Sequence, residues 1–337
     1  MINLTNSSFP YMPILSYKDI FVVTILGIIA SVASFGNLFN LYLIYHSRSS
    51  QLVGTLLLAN LGLADLFSGL VVMPLAIYSF IVQDTISPFL CQLWAVLASL
   101  SIGVSFYTTA AISIDRCIAV ASPFYYSQSV NLRVLKVQIV ILWLITSVIA
   151  IMPMLGLKAY GIGHYSYITG SQQCWVDFTD RDHNYYIGLV LLSILSCTIV
   201  IIVLCYSIIF IIAWRKGLQN LSGHGTIKKS IRTTGLIVGT SLMCWIPLIT
   251  ISYVEFIDFM LLISDDIVLA AYLLTFCSSA INPVVYSLTN SELKRRVRLT
   301  LRRTNVIAFS QSKRKGKVNP IGIDSVIGNL HSSVIVG

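Results

Sequence analysis

The chain has 337 residues, 56% of them hydrophobic and only 10% charged, and a formal net charge of +9. Soluble chains average about 25% charged residues, so a soluble globule is excluded. Its 22 basic residues outnumber the 13 acidic ones, and where those bases fall decides what they can meet.

A membrane-crossing helix needs about 20 predominantly apolar residues. Seven stretches qualify, roughly 20–45, 52–82, 88–121, 137–157, 185–213, 231–256 and 267–288, with ends good to a few residues. Between Asp19 and His46, between His183 and Arg215, and between Arg232 and Glu255 there is no charged residue at all. The expected fold is an all-α membrane protein: a seven-transmembrane helix bundle over 20–288, followed by a short amphipathic membrane-surface helix.

Residues 1–19 form an expected extracellular tail. They lack the basic start and apolar core of a cleavable signal, which leaves targeting to the first span. Asn3-Leu4-Thr5 and Asn6-Ser7-Ser8 are glycosylation sequons, which require a lumenal or extracellular side. Asn220-Leu221-Ser222 matches too, but falls in an inner loop. The bases agree. With the N-terminus outside, three of the 22 (Lys18, Lys158, Arg181) lie outside and nineteen inside, as the positive-inside rule demands. The net charge is then a rim facing anionic membrane lipid, and nucleic acid is no expected partner.

The second span contains Asp65, mid-membrane in Leu61-Gly62-Leu63-Ala64-Asp65-Leu66. A charge there costs about 2.5–3.5 kcal/mol even on lenient insertion scales and marks function. Two readings stand: a structural acid bonded to neighbouring helices, with Asn37 one partner, or an ion site whose occupancy changes between states. The third span opens at Cys91 and ends in Asp115-Arg116-Cys117. Arg116 could snorkel to headgroups, yet the preceding Asp115 offers a pair that can form and break.

The longest outer loop, roughly 158–184, carries Cys174. Cys91 and Cys174 alone of seven cysteines face the oxidising side, which reads as one disulfide pinning the loop to the third helix; two unrelated thiols are the alternative. Cys117, Cys197, Cys205, Cys244 and Cys277 read as small apolar helix residues. Tyr206 and Tyr286 lie near the inner ends of the fifth and seventh spans, either as interface residues or within reach of a freed guanidinium. Pro74, Pro153, Pro247 and Pro283 interrupt four helices, each removing a backbone hydrogen bond and kinking its helix.

Beyond the last span, Leu293, Val297 and Leu301 recur amid Lys294, Arg295, Arg296, Arg298, Arg302 and Arg303. This predicts an amphipathic cytoplasmic helix over 289–302 and a disordered cytoplasmic tail over 303–337. No phosphate loop, zinc-ligand spacing or nucleophile elbow is present, so the chain is not expected to be an enzyme or to carry a cofactor.

Taken together these residues resemble the rhodopsin-like (class A) G-protein-coupled receptors over 20–302. The motifs, in order, are Gly36-Asn37, Leu58 to Asp65, Cys91, Asp115-Arg116-Cys117, Trp143, Cys174, Cys244-Trp245-Ile246-Pro247 and Asn282-Pro283-Val284-Val285-Tyr286. The resemblance implies a multi-pass plasma-membrane receptor. Arg116 would meet a heterotrimeric G protein when the sixth helix swings outward, with Tyr206 and Tyr286 stabilising that state and Pro123 preceding the docking loop; arrestin is a further possible partner. Asp65 with Ser105, Ser278, Ser279 and Asn282 would form a pocket for Na+ as an allosteric ion, and Trp245 above Pro247 would be the toggle beneath the ligand.

The departures are specific. Cys117 replaces the usual tyrosine, Thr198 the fifth-helix proline and Ser241 a common phenylalanine, with Phe106 as third-helix partner. Ile227, beside Lys228 and Lys229, replaces the acid that often clasps the arginine, so basal activity is expected. Amine receptors carry an aspartate where Ala98 stands, and opsins a retinal-binding lysine where Phe276 stands. By family placement Ala98, Ile102, Val190, Ile194, Leu248, Ile249, Tyr272 and Phe276 line an apolar pocket, suited to a lipid-like small molecule, or to a peptide resting on an acidic rim of Asp177, Asp180, Asp182, Asp258, Asp265 and Asp266. The alternatives are a non-signalling or constitutively active receptor and, further off, a transporter or channel, which would predict repeats that do not occur.

Overall fold

A computed structural model describes residues 15–46, 53–129, 131–160, 162–177, 186–220, 225–257 and 263–289. The sequons at Asn3 and Asn6, all but the first residue of the 289–302 segment, and the 303–337 tail lie outside the described residues. Among the described residues, seven helical segments are long and apolar enough to cross a membrane.

The first span is α1 (Tyr17–Tyr45). It begins where Ser16 accepts from the Asp19 amide at 3.2 Å and the Ser16 amide donates to Asp19 Oδ2 at 2.9 Å, a capping box that satisfies end donors. The second span is interrupted: α2 (Val53–Phe67), a π-helical turn over Ser68–Val72, then α3 (Met73–Val82). Pro74 cannot donate, and the widened turn accommodates the gap it leaves. The Trp94 indole N–H donates to the Val72 carbonyl in that turn at 2.8 Å.

The third span, α4 (Pro88–Ala121), opens with Ser87 capping the Leu90 amide and proline at its first position, both helix-start preferences. A short α5 (Pro123–Ser129) leads to the fourth span, α6 (Leu132–Ile151), whose amide end is capped by Asn131. The remaining spans are α7 (Tyr186–Asn220), α8 (Gly225–Ile257) and α9 (Asp265–Thr289), with Pro247 and Pro283 inside the last two.

The outer loop holds an element the sequence reading did not predict. Strands β1 (His164–Ile168) and β2 (Gln173–Asp177) pair antiparallel, with Tyr167 opposite Cys174 and Ser166 opposite Trp175. Cys174 is disulfide-bonded to Cys91, with Cα atoms 5.3 Å apart. Tyr165 packs its ring into the core and brings its hydroxyl to 2.9 Å from the Ala150 carbonyl and 3.0 Å from Ser99 Oγ. Burial pushes that phenol up to about 12.

The bundle is held by buried polar contacts, which in lipid must be satisfied internally. Asn60 donates to Thr108 Oγ1 at 2.8 Å and accepts from the Trp143 indole at 2.9 Å, joining three spans. Ser101 donates to the Ala64 carbonyl at 3.0 Å. α1 and α9 approach closely at Gly36, where a Cβ would lie 2.8 Å from the Pro283 ring; only glycine fits there. The outward side of α6 carries a row of apolar residues, with Val134, Val137, Ile141, Leu144 and Val148 all exposed. Their three-to-four-residue spacing is a stripe facing lipid.

Candidate functional site

The bundle end opposite the disulfide carries the charged pair. Arg116 Nε donates to Asp115 Oδ2 at 2.8 Å, and Arg116 Nη2 is bonded to the same oxygen. The Tyr126 hydroxyl, from α5, donates to Asp115 Oδ1 at 2.8 Å. Asp115 is thus held through both oxygens, one by the third span's own arginine and one by the loop helix. Both charged side chains are largely buried, at 15% and 9% exposed, which strengthens the pair relative to a surface one. Burial, and then the Asp115 charge, push the Tyr126 phenol up to about 12, so it stays a neutral donor. On its other side, Arg116 lies against Gly54 at the start of α2. Pro123, exposed, opens α5 and so sets where Tyr126 emerges.

Asp65 is fully buried and gathers three donors: Ser105 Oγ at 3.1 Å and Ser279 Oγ at 3.0 Å on Oδ1, and Asn282 Nδ2 at 2.7 Å on Oδ2. The second, third and seventh spans therefore converge on one carboxylate. Two expectations need correction. Ser278 donates to the Thr275 carbonyl at 2.7 Å in its own helix and does not reach Asp65: neighbours on a helix point about 100° apart, so only one of the two serines can face it. Asn37 donates to the Ala33 and Ser279 carbonyls at 2.8 and 3.0 Å, bracing α9 instead of the acid. Among the described residues no group of three or more His, Cys, Asp or Glu side chains could hold a metal ion.

Trp245 and Phe106 pack with ring centroids 5.4 Å apart in a cluster with Cys244 and Ile249. Ser241, one turn deeper on α8, is buried, as is Thr198 on α7, whose hydroxyl donates to the Ile194 carbonyl at 2.9 Å. Above that cluster Ala98, Leu248, Ile249, Tyr272 and Phe276 are buried and Ile102 half-buried. Val190 and Ile194 differ, at 55% and 45% exposed. Trp175 of the hairpin meets Tyr272 edge-on at 5.6 Å, closing that end of the bundle.

Tyr286 is buried and Tyr206 half-buried at the Arg116 end of their helices. Tyr206 packs with Ala110, Ile202 and Val238 and contacts α8 at Gly235. Of the acidic rim, Asp177, Asp265 and Asp266 are described, and Asp266 pairs with Lys18; Asp180, Asp182 and Asp258 lie outside the described residues. The side chains of Ile227, Lys228 and Lys229 are likewise outside them. Sequence reasoning missed Tyr126, Gly54 and Trp175. Tyr126 carried a signal, a tyrosine eleven residues beyond Asp115 just after a proline; Gly54 and Trp175 carried none.

The sequence profile of the 7 transmembrane receptor (rhodopsin family) matches residues 36–286. Among curated proteins, the alpha-1A adrenergic receptor of Oryzias latipes is 22% identical, covering 96% of this chain and 78% of its own. Trace amine-associated receptor 5 of Pan troglodytes is 26% identical over 79% of this chain and 80% of its own. Squid rhodopsin superimposes with a TM-score of 0.72 at 19% identity, covering 90% and 93% of the two chains. The chain is a multi-pass membrane protein that belongs to the rhodopsin-like (class A) G-protein-coupled receptors, a family of signalling receptors and not of enzymes.

Proposed function

We propose that this chain is a plasma-membrane receptor, N-terminus outside, that binds a ligand at its disulfide end and activates a heterotrimeric G protein at its Arg116 end. The observation that carries this reading is the Asp115–Arg116–Tyr126 cluster. Its three members sit on α4 and α5 at one end of the bundle, so breaking it frees a cation without unfolding a span. Outward movement of α8, hinged at Pro247, opens that end; Tyr206, which now touches α8 at Gly235, and Tyr286 then support the freed arginine. Arrestin would read the same open face.

On the first reading the ligand is neither retinal nor an amine. Phe276 offers no Schiff-base nitrogen, and Ala98 no carboxylate to pair an ammonium. The apolar wall of Ala98, Ile102, Leu248, Ile249, Tyr272 and Phe276 suits a lipid-like small molecule or an apolar peptide end. An amine remains the second reading, because the relatives' names are those of adrenergic and trace amine-associated receptors.

Sodium at Asp65 is part of the proposal. The oxygens of Asp65, Ser105 and Ser279 fit a hard cation, and Asn282 Oδ1, buried without a partner among the described residues, could turn to complete the set. Sodium would supply charge balance that favours the resting state.

The test is nucleotide exchange on a panel of purified G proteins, using full-length receptor and an Arg116→Ala control, with lipid-like and amine libraries. Ligand-driven exchange that Arg116→Ala abolishes supports signalling. Exchange no greater than the control's in every pairing would leave a non-signalling receptor instead, and high exchange without ligand a constitutively active one.

A further inference from the structure

Five cysteines lie outside the disulfide, and their places in the bundle differ. Cys197 faces outward, and Cys244 is buried in the Trp245 cluster with Cys277 packed against it. Cys117 and Cys205 are both half-buried, and the Cys205 thiol is hydrogen-bonded to the thiol of Cys117. The packing of the two spans explains the meeting. Ala110 of α4 and Ile202 of α7 pack together in one buried cluster. Toward the Arg116 end, Cys117 lies two turns beyond Ala110 and Cys205 one turn beyond Ile202, so each stays on the facing side of its helix. A residue as small as alanine at the contact lets the two backbones approach.

Each thiol is the chain neighbour of a switch residue. Cys117 follows Arg116 and Cys205 precedes Tyr206, and Arg116 and Tyr206 already interact electrostatically. Cys117 also stands where the family pattern expects a tyrosine. On the proposed orientation this end faces the cytosol, where disulfides are transient and report redox state. Two thiols in contact on different spans are what such a disulfide needs, one to take up oxygen and one to resolve it.

The chemistry balances with hydrogen peroxide as the oxidant. One sulfur attacks a peroxide oxygen, the O–O bond breaks, and the leaving hydroxide takes that thiol's proton as water. The second sulfur attacks the sulfenic acid so formed. The S–S bond forms, the S–O bond breaks, and a second water leaves with the second thiol's proton. Two thiols have then lost two electrons and two protons, and hydrogen peroxide has become two waters. A dithiol reverses the step by thiol–disulfide exchange, ending oxidised itself.

We infer that Cys117 and Cys205 are an oxidation site, joined by hydrogen peroxide into a reversible disulfide that holds α4 and α7 in their resting contact. On the proposed mechanism Tyr206 leaves Gly235, which it now touches, for Arg116 as the receptor opens. A covalent bond at the preceding residue restrains that turn, so exchange falls. The site itself rests on the contact of the two thiols, and its effect on signalling rests on the reading that the G protein couples at the Arg116 end.

The test uses purified full-length receptor in lipid nanodiscs, treated with graded hydrogen peroxide and then freed of it. Peptide mapping by mass spectrometry is expected to show a Cys117–Cys205 linked peptide that dithiothreitol removes, with Cys91–Cys174 followed in the same digests. Basal nucleotide exchange should fall about fivefold or more, the lower end of coupling between linked sites, in step with that peptide. Cys117→Ser and Cys205→Ser should each abolish both the peptide and the fall. No linked peptide, linkage only between Cys244 and Cys277, a fall that survives in either variant, or linkage with exchange unchanged overturns the inference. Should the variants fail to fold, the parent's linked peptide, and recovery of exchange as dithiothreitol removes it, decide the same question. Mapping needs no G protein, so a receptor that shows linkage but never exchanges above the Arg116→Ala control would overturn the signalling proposal and leave the oxidation site standing.

Discussion

Gly54 stands so close to Arg116 that a methyl group on its Cα would overlap the terminal guanidinium nitrogen. This is a close approach that only glycine permits. α2 thereby walls one side of the arginine while Asp115 holds the other. In Gly54→Ala the guanidinium, as the free end of a long side chain, gives way before the helix does. The contact of Nη2 with Asp115 is then lost. Basal nucleotide exchange should rise about three- to tenfold, equivalent to roughly 0.7–1.4 kcal/mol, with the melting point nearly unchanged. Basal exchange equal to the parent's would show that the arginine is not held by this wall.

Tyr126 gives the same latch a second, independent handle. Its hydroxyl donates to Asp115 Oδ1 at 2.8 Å. Tyr126→Phe removes one bond from a half-buried phenol to a charged acceptor, about 1 kcal/mol after solvent screening, and should raise basal exchange a few-fold. The phenol is pushed up to about 12, first by burial and then by the Asp115 charge. A raised value means the folded state holds the proton more tightly. The stabilisation is therefore whole below the ordinary tyrosine value near 10 and is lost as pH rises through about 12. Exchange should show no Tyr126-dependent change around neutral pH. Asp115→Asn should bring the phenol's titration, followed by ultraviolet absorbance against a Tyr126→Phe control, to lower pH.

The bundle was legible in the sequence because lipid leaves little choice: uncharged runs of the right length must be helices. The third span ends where expected, Pro88–Ala121, and the Cys91–Cys174 disulfide follows from counting outer thiols. The hairpin was not legible. Its strands are only five residues long, and the glycine-containing loop between them, Thr169-Gly170-Ser171-Gln172, is a weak turn signal taken alone. The π turn could be suspected from Pro74 but not placed. At Asp65 the composition of the site was readable and its geometry was not. Ser278 and Ser279 are equivalent as letters, and only the rotation of α9 decides that Ser279 faces the acid. Gly54 shows the limit most plainly, since nothing in a lone glycine says which side chain from another span it must admit.

Trp143 tests how much of the bundle depends on a single shared amide. Its indole donates to Asn60 Oδ1 at 2.9 Å while Asn60 Nδ2 donates to Thr108 at 2.8 Å. Trp143→Phe keeps much of the apolar bulk, removes the donor and leaves a buried carbonyl oxygen unpaired. It should destabilise by about 1–3 kcal/mol. Asn60→Leu removes both bonds and strands the indole N–H, while the Thr108 hydroxyl keeps its bond to the Val104 carbonyl at 2.6 Å and loses only an incoming donor, so it should cost at least as much. Melting of the purified variants in one detergent ranks them. If Asn60→Leu is the milder change, the amide is not the shared joint.

Asp65 separates a structural acid from an ion site. Asp65→Leu strands three buried donors, from Ser105, Ser279 and Asn282. At about 1–3 kcal/mol each, that variant should barely fold. Asp65→Asn is the informative change. It keeps the size, retains oxygen and amide groups to meet the serines, and removes the charge that would hold a cation. Sodium binding only the resting state stabilises it by mass action, growing with the logarithm of concentration above Kd. The parent should therefore melt higher in sodium than in equal concentrations of a bulky organic cation, and its basal exchange should fall. Asp65→Asn should lose both responses. Asn282 decides the route: its Nδ2 now bonds Asp65 while Oδ1 is buried without a partner among the described residues. An arriving cation therefore needs the amide to turn over, and Asn282→Leu should weaken the sodium response while keeping the Asp65 charge. A sodium response that survives Asp65→Asn unchanged would return Asp65 to a purely structural role, bracing three spans through its three donors.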